Sequence, residues 1–183
     1  MAQIKLQSEG LNLADTFAFS GTVTGAGGGI TAASQWRLTT SFTGDATPIA
    51  SNLEVVDTDG YGSLGSAMTE SSGIFTFPST GFWLIEFIGQ FYYSGDSRYN
   101  VAKIQTTTDD SSYDTAAQSN DGIAQAESSA THANAKASFI FDVTSTSTHK
   151  VRFDVSTSSA SSNVQGSSDQ NITSMNFIRL GDT

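Results

Sequence analysis

Cysteine is absent from this chain of 183 residues, and proline and histidine occur only twice each. Without cysteine there is no disulfide framework, no thiolate nucleophile and no cysteine-bound structural zinc, so packing or assembly must hold the fold together. Basic side chains are scarce as well: eight stand against eighteen acidic ones, a net charge of −10. A field of that sign opposes counterion-release binding to a phosphate backbone, which argues against a nucleic-acid partner. Apolar runs long enough to span a bilayer are missing. Residues 1–7 offer neither a basic n-region nor an apolar h-region, so the expectation is a chain without membrane insertion or export signal, folded in a reducing cytoplasm.

What is abundant points one way. Ser and Thr make up more than a quarter of the chain, Gly contributes 17 residues, and Phe dominates the 10% aromatic content. This mix suits short strands joined by polar turns and suits long helices badly, so an all-β fold is expected.

Period-two fragments begin at residues 4–7, 11–13 and 17–23. The glycine-rich run 25–29 then marks a joint, because it has almost nothing to bury. Residues 1–30 hold too few large apolar groups for their own core and read as an attachment arm, with Leu11, Leu13, Phe17 and Phe19 as its anchor. Residues 31–183 read as the head. Strand candidates there are 35–42, 49–56, 73–78, 82–93, 99–104, 138–143, 150–155 and 172–180, about eight in all, the number a jelly-roll β-sandwich requires. The segments 138–143 and 150–155 read as a hairpin. Residues 106–134 and 156–170, polar and poor in apolar side chains, read as long loops.

The segment 82–93 is apolar on both parities. Trp83, Ile85, Phe87, Phe91 and Tyr93 share one face; Phe82, Leu84, Ile88 and Tyr92 share the other. In a domain this small the second face is most simply covered by another subunit.

Signals for chemistry are weak. Residues 60–65 match G-x-G-x-x-G, but Asp57 and Asp59 put negative charge where a phosphate would sit and no helical period follows, which leaves a turn. The same Asp57-Thr58-Asp59-Gly60 opens like a calcium loop, yet the twelfth position is Met68 and the glycine comes too early. Looser oxygen sites from Asp57 and Asp59, or from Asp109, Asp110 and Asp114, are the only metal candidates, and solvated turn residues are the plainer account. No cofactor is expected. His132 and His149 both read as exposed. Glu86 interrupts the most apolar segment and needs a cationic or hydrogen-bonding partner, with Arg37, Lys103, Arg152 and Arg179 as candidates; a structural pair is preferred to a catalytic acid. Asn171-Ile172-Thr173 fits the glycosylation pattern, which a Ser/Thr-rich chain matches by chance.

The run from Gly73 to Ile85 (GIFTFPSTGFWLI) resembles the G-x-F-x-x-P-x-x-G-x-Y segment of the globular heads of complement component one-q and the tumour necrosis factor superfamily, with Trp83 in place of the usual Tyr. The segments 139–155 and 175–180 resemble that family's last strands, so the likeness covers roughly residues 34–180. It implies a trimeric jelly-roll head, with Phe82, Leu84, Ile88 and Tyr92 in the threefold interface. Residues 10–25 resemble instead the openings of short structural proteins of marine tailed bacteriophages, some of them tail-fibre proteins. That resemblance implies a non-enzymatic virion protein, held through its arm by another virion protein. Its loops, with Tyr113 and His132, would touch a host-surface receptor. Two other readings stay open: a capsid decoration protein bound to the major capsid protein, and a polysaccharide-cleaving enzyme, which needs paired carboxylates in a groove.

Overall fold

A computed structural model describes residues 29–183; the proposed anchor residues Leu11, Leu13, Phe17 and Phe19 lie outside them. Twelve strands form two antiparallel sheets. In chain order they are β1 (Ala33–Leu38), β2 (Phe42–Thr43), β3 (Leu53–Val55), β4 (Thr69–Ser71), β5 (Ile74–Thr76), β6 (Gly81–Tyr93), β7 (Ser97–Thr107), β8 (Asp114–Ile123), β9 (Thr131–Val143), β10 (Lys150–Thr157), β11 (Asn163–Val164) and β12 (Ser174–Gly181). The seven-stranded sheet has β6 near its middle. β9 runs along one edge of β6, and β12 and β11 share the other, with β1 and β3 beyond β12. The five-stranded sheet has the order β4-β5-β10-β7-β8. This is the expected jelly-roll sandwich, with short strands bringing the number above eight.

The alternation in β6 decides its orientation. Trp83, Ile85, Phe87 and Phe91 are buried and meet the other sheet, whose β5, β7 and β10 supply Phe75, Ile104, Val151, Phe153 and Val155. Phe153 sits at the centre, its ring 5.0 Å from Phe87, 5.3 Å from Phe75 and 5.9 Å from Phe177. Aromatic contacts at such distances add to the burial of each ring.

Two glycines set the approach to β6, Gly73 in the turn between β4 and β5 and Gly81 at the start of β6. Gly73 has φ +82°, and a Cβ there would meet the Ile49 carbonyl oxygen and come within 3.0 Å of Pro48. Gly81 has φ +135°, and its Cβ would meet the Gly181 carbonyl oxygen and the Arg179 guanidinium. Both positions are closed to a side chain by backbone conformation and by space.

Three expectations are corrected. The stretch 106–134 is not one long loop: it contains β8 and the start of β9. β9 buries small residues, Ala133, Ala135 and Ala137, at strict alternation, so its inward face is real but carries little hydrophobic weight in the sequence. Segments 138–143 and 150–155 are not a hairpin. β9 pairs with β6 and β10 pairs with β5 and β7, so Phe141 and Phe153 face the core from opposite sheets. His149 is buried rather than exposed. Its ring stacks on Phe141 with centroids 5.5 Å apart, and its two nitrogens lie 3.1 Å from the hydroxyls of Thr144 and Thr148.

Candidate functional site: the outer face of the seven-stranded sheet

Because β6 turns its odd-numbered residues inward, its even-numbered ones line the outer face, and the strand registers extend them into rows. One row runs Ile140, Leu84, Ile178, Ala33 across β9, β6, β12 and β1, with Leu64 bridged to Ala33 at its end. The next runs Ser138, Glu86, Asn176, Gln35, and the next Lys136, Ile88, Ser174, Arg37, with Glu54 of β3 beyond. Toward the far end of β6 come Gln90 beside Asn134 and Tyr92 beside His132.

The face is apolar at one end and polar at the other. Phe82, Ile140 and Leu180 are 40%, 56% and 43% exposed, and Leu64, bridged to Ala33, lies at the same end at 49%. Four of the six large apolar side chains exposed among the described residues therefore gather here; Tyr99 lies on β7 of the other sheet, and Ile30 precedes β1. Singly exposed apolar residues need no explanation, but clustered ones mark an interaction surface. Leu84, Ile88 and Tyr92 are half-buried on the same face.

Apart from Asp142, exposed opposite Phe82 on β9, charge on this face is held in pairs. Glu86 is bound by Lys136 at 2.6 Å and accepts a longer bond from Asn176 Nδ2 at 3.4 Å. The Lys136 bond holds the Glu86 carboxyl below its ordinary range, against a smaller upward push from burial. None of the four cations considered from the sequence is the partner. Lys136 was hidden because it falls between the stretch 106–134, read as loop, and the strand candidate 138–143, whereas β9 runs through both. Its place opposite Ile88, diagonal to Glu86, follows from the β6–β9 register. Arg37, 1% exposed, donates to Glu54 Oε1 and Asp57 Oδ1, both at 2.7 Å, and to the Thr58 hydroxyl at 2.9 Å. These bonds fold residues 57–61 back over β1, and Tyr61 closes the turn by accepting the Gln35 amide at 2.9 Å.

Of the five acidic residues considered as metal candidates, Asp57 and Asp109 are engaged in structural bonds. Asp57 serves Arg37, and Asp59 takes a positive φ of 55° in a turn ending at Gly60. Asp109 Oδ1 accepts the Thr107 hydroxyl and the amides of Ser111 and Ser112 at 2.8 to 2.9 Å, capping the β7–β8 connection. Those bonds, the Ser112 amide first, hold its carboxyl far below the usual value. Asp110 follows at φ 59°, and Asp114 opens β8. Among the described residues no three acidic or histidine side chains converge as a metal site.

Tyr113 and His132 are not brought together: they lie at opposite ends of β8 and beside different sheets. Tyr113 lies under the Arg152 guanidinium, 4.3 Å from ring centroid to cation, an attraction of quadrupole and charge. His132 is exposed at the start of β9, tilted on Tyr92 at 5.7 Å and 3.3 Å from Gln90 Nε2. On the outer side of the five-stranded sheet, Asp154 is buried with Oδ1 unbonded and 3.8 Å from Arg152 Nε; burial pushes its carboxyl up, opposed by Arg152 and Lys103.

No protein-family model matches the chain, and no curated protein matches it in sequence. Solved structures do match in shape. Murine APRIL, crystallised at pH 5.0, is 10% identical with a TM-score of 0.58, over 81% of this chain and 98% of that one. Eiger TNF from S. frugiperda is 13% identical with a TM-score of 0.57, over 82% of this chain and 93% of that one. At such identities the likeness concerns architecture alone: the chain has the jelly-roll fold of tumour necrosis factor proteins.

Proposed function

We propose that this chain is a non-enzymatic virion surface protein of a tailed bacteriophage, a homotrimeric tail-fibre or receptor-binding head whose residues 1–30 attach it to another virion protein. The observation that carries the assembly part is the one-ended apolar cluster of Phe82, Leu84, Ile140 and Leu180 on the outer face of the seven-stranded sheet. A second copy removes that surface from water, and a closed symmetry limits growth. The shared architecture with tumour necrosis factor proteins supports three copies over two. Glu86, bound by Lys136 and by a longer bond from Asn176, fits a structural pair better than a general acid, whose proton must be free to move. The virion part rests on the resemblance of residues 10–25.

Antibodies raised against residues 29–183 and applied to purified particles of a phage that encodes the chain test the location. Label at the tail supports the reading. Label over the capsid lattice moves the chain to the decoration class, and particles without label contradict a virion role.

A further inference from the structure

Two adjoining hollows open on the β1 side of the same outer face, away from Ile140 on β9, with volumes of about 400 and 380 Å³. They share Gln35 and Tyr61. The first is walled by the turn 58–61 and by Asp169, Gln170 and Asn171; the second is floored by Asn176 and Ile178 and bounded by Glu86. Each is within the size range of small-ligand sites.

The chemistry of the walls selects a ligand. The charged and amide side chains there are all acceptors or amides: Asp59, Asp169, Gln170, Asn171, Gln35, Asn176 and Glu86. The two cations nearby are spent, Arg37 on Glu54 and Asp57 and Lys136 on Glu86, so an anion would meet carboxylates with no free positive charge. Asn176 adds an unmet demand, since its Oδ1 is buried without a hydrogen-bond partner. The torsion that would turn this amide toward the hollow is a soft one, and turning it gives up only the long 3.4 Å bond to Glu86. Tyr61 adds an aromatic ring to the apolar contributions of Val56, Ala33 and Ile178. Its hydroxyl is fixed by the Gln35 amide and by Ser63 Oγ at 3.0 Å, which pins the ring at the junction of the two hollows. A ligand rich in hydroxyl donors, uncharged, with a C–H face to lie on one aromatic ring, meets all of these conditions.

We propose that this groove is a binding site for a neutral saccharide, with Tyr61 as the stacking platform and Asn176, Gln170 and Asn171 as hydrogen-bonding groups. The site stands on its own geometry and holds wherever the chain resides. With one aromatic and a groove open to solvent, a single sugar should bind with a Kd of about 1 mM.

The test is a nuclear magnetic resonance titration of the ¹⁵N-labelled full chain with glucose, galactose, N-acetylglucosamine, maltose and lactose, alongside glucuronate and cadaverine. The expected result is a saturable shift of the Gly60, Tyr61, Gly62, Asn171 and Asn176 amides with at least one neutral sugar, and none with glucuronate. Tyr61→Ala and Asn176→Ala, each checked for unchanged mass and melting temperature, should weaken binding at least about fivefold. If Tyr61→Ala disturbs its turn, Asn176→Ala carries the test. The proposal is overturned if no sugar shifts these amides, if glucuronate binds as well as its neutral counterpart, if only cadaverine binds, or if folded Asn176→Ala retains full affinity.

Discussion

Arg37 shows how one side chain can organise a surface. It is 1% exposed, yet its charge is matched only by carboxylates that reach it from the rim, Glu54 and the largely exposed Asp57. Replacing it by alanine removes several charge-assisted bonds and the packing of its stem, a loss of about 2 to 4 kcal/mol. Because those bonds hold residues 57–61 over β1, Arg37→Ala should also raise amide exchange at Thr58 and Tyr61 while leaving the Phe153 cluster protected; hydrogen exchange read by mass spectrometry checks both. Asp109 works differently. Its folded pKa lies below that of the unfolded chain, so its contribution is complete above the ordinary carboxylate value of about 3.9 and is lost as pH falls from there toward the folded value. The Ser111 and Ser112 amide resonances should therefore hold constant from neutral pH down to about 4 and move only below it. Movement of both near pH 5 to 6 contradicts the cap.

Elements whose two faces differ strongly in residue size were legible in the sequence. β6 announces itself with Trp83, Ile85, Phe87 and Phe91 on one parity, and its second apolar face was readable from Phe82, Leu84 and Ile88. β9 was half-read: its inward alanines give a weak hydrophobic signal, so only 138–143 stood out. β8 was missed because its described side chains are mostly exposed or half-buried, and Ile123 alone is buried. The β9–β10 misreading has another cause. Two consecutive period-two segments joined by a polar turn look alike whether they pair or cross the sandwich, and only the long-range partners β6 and β7 decide. The position of β9 matters for function, since it places Ile140 and Lys136 on the outer face beside Leu84 and Ile88. Leu84→Glu combined with Ile140→Glu puts two charges into the proposed interface without touching the core. The variant should keep its strand signature by circular dichroism and sediment as single chains, whereas Gln118→Glu, exposed on β8 of the other sheet, should leave the mass unchanged. An assembled double variant removes this face from the interface.

At the scale of the whole molecule, a jelly roll with an outer face apolar at one end is an object built to be covered. Jelly-roll class and the inward face of β6 came from alternation and composition, because burial imposes them locally. The saccharide groove did not, because it joins Gln35, Tyr61, Asn171 and Asn176 from separate parts of the chain, and no local pattern records that meeting. Net charge of −10 works against crowding many copies together, so the apolar cluster must outweigh repulsion that salt screens. The central claim is self-association through this face, and the most direct measurement is the solution mass of the full-length chain by light scattering at physiological salt. A mass three times the 19.2 kDa of one chain is the predicted result; a mass of 19.2 kDa that persists as concentration rises would contradict it.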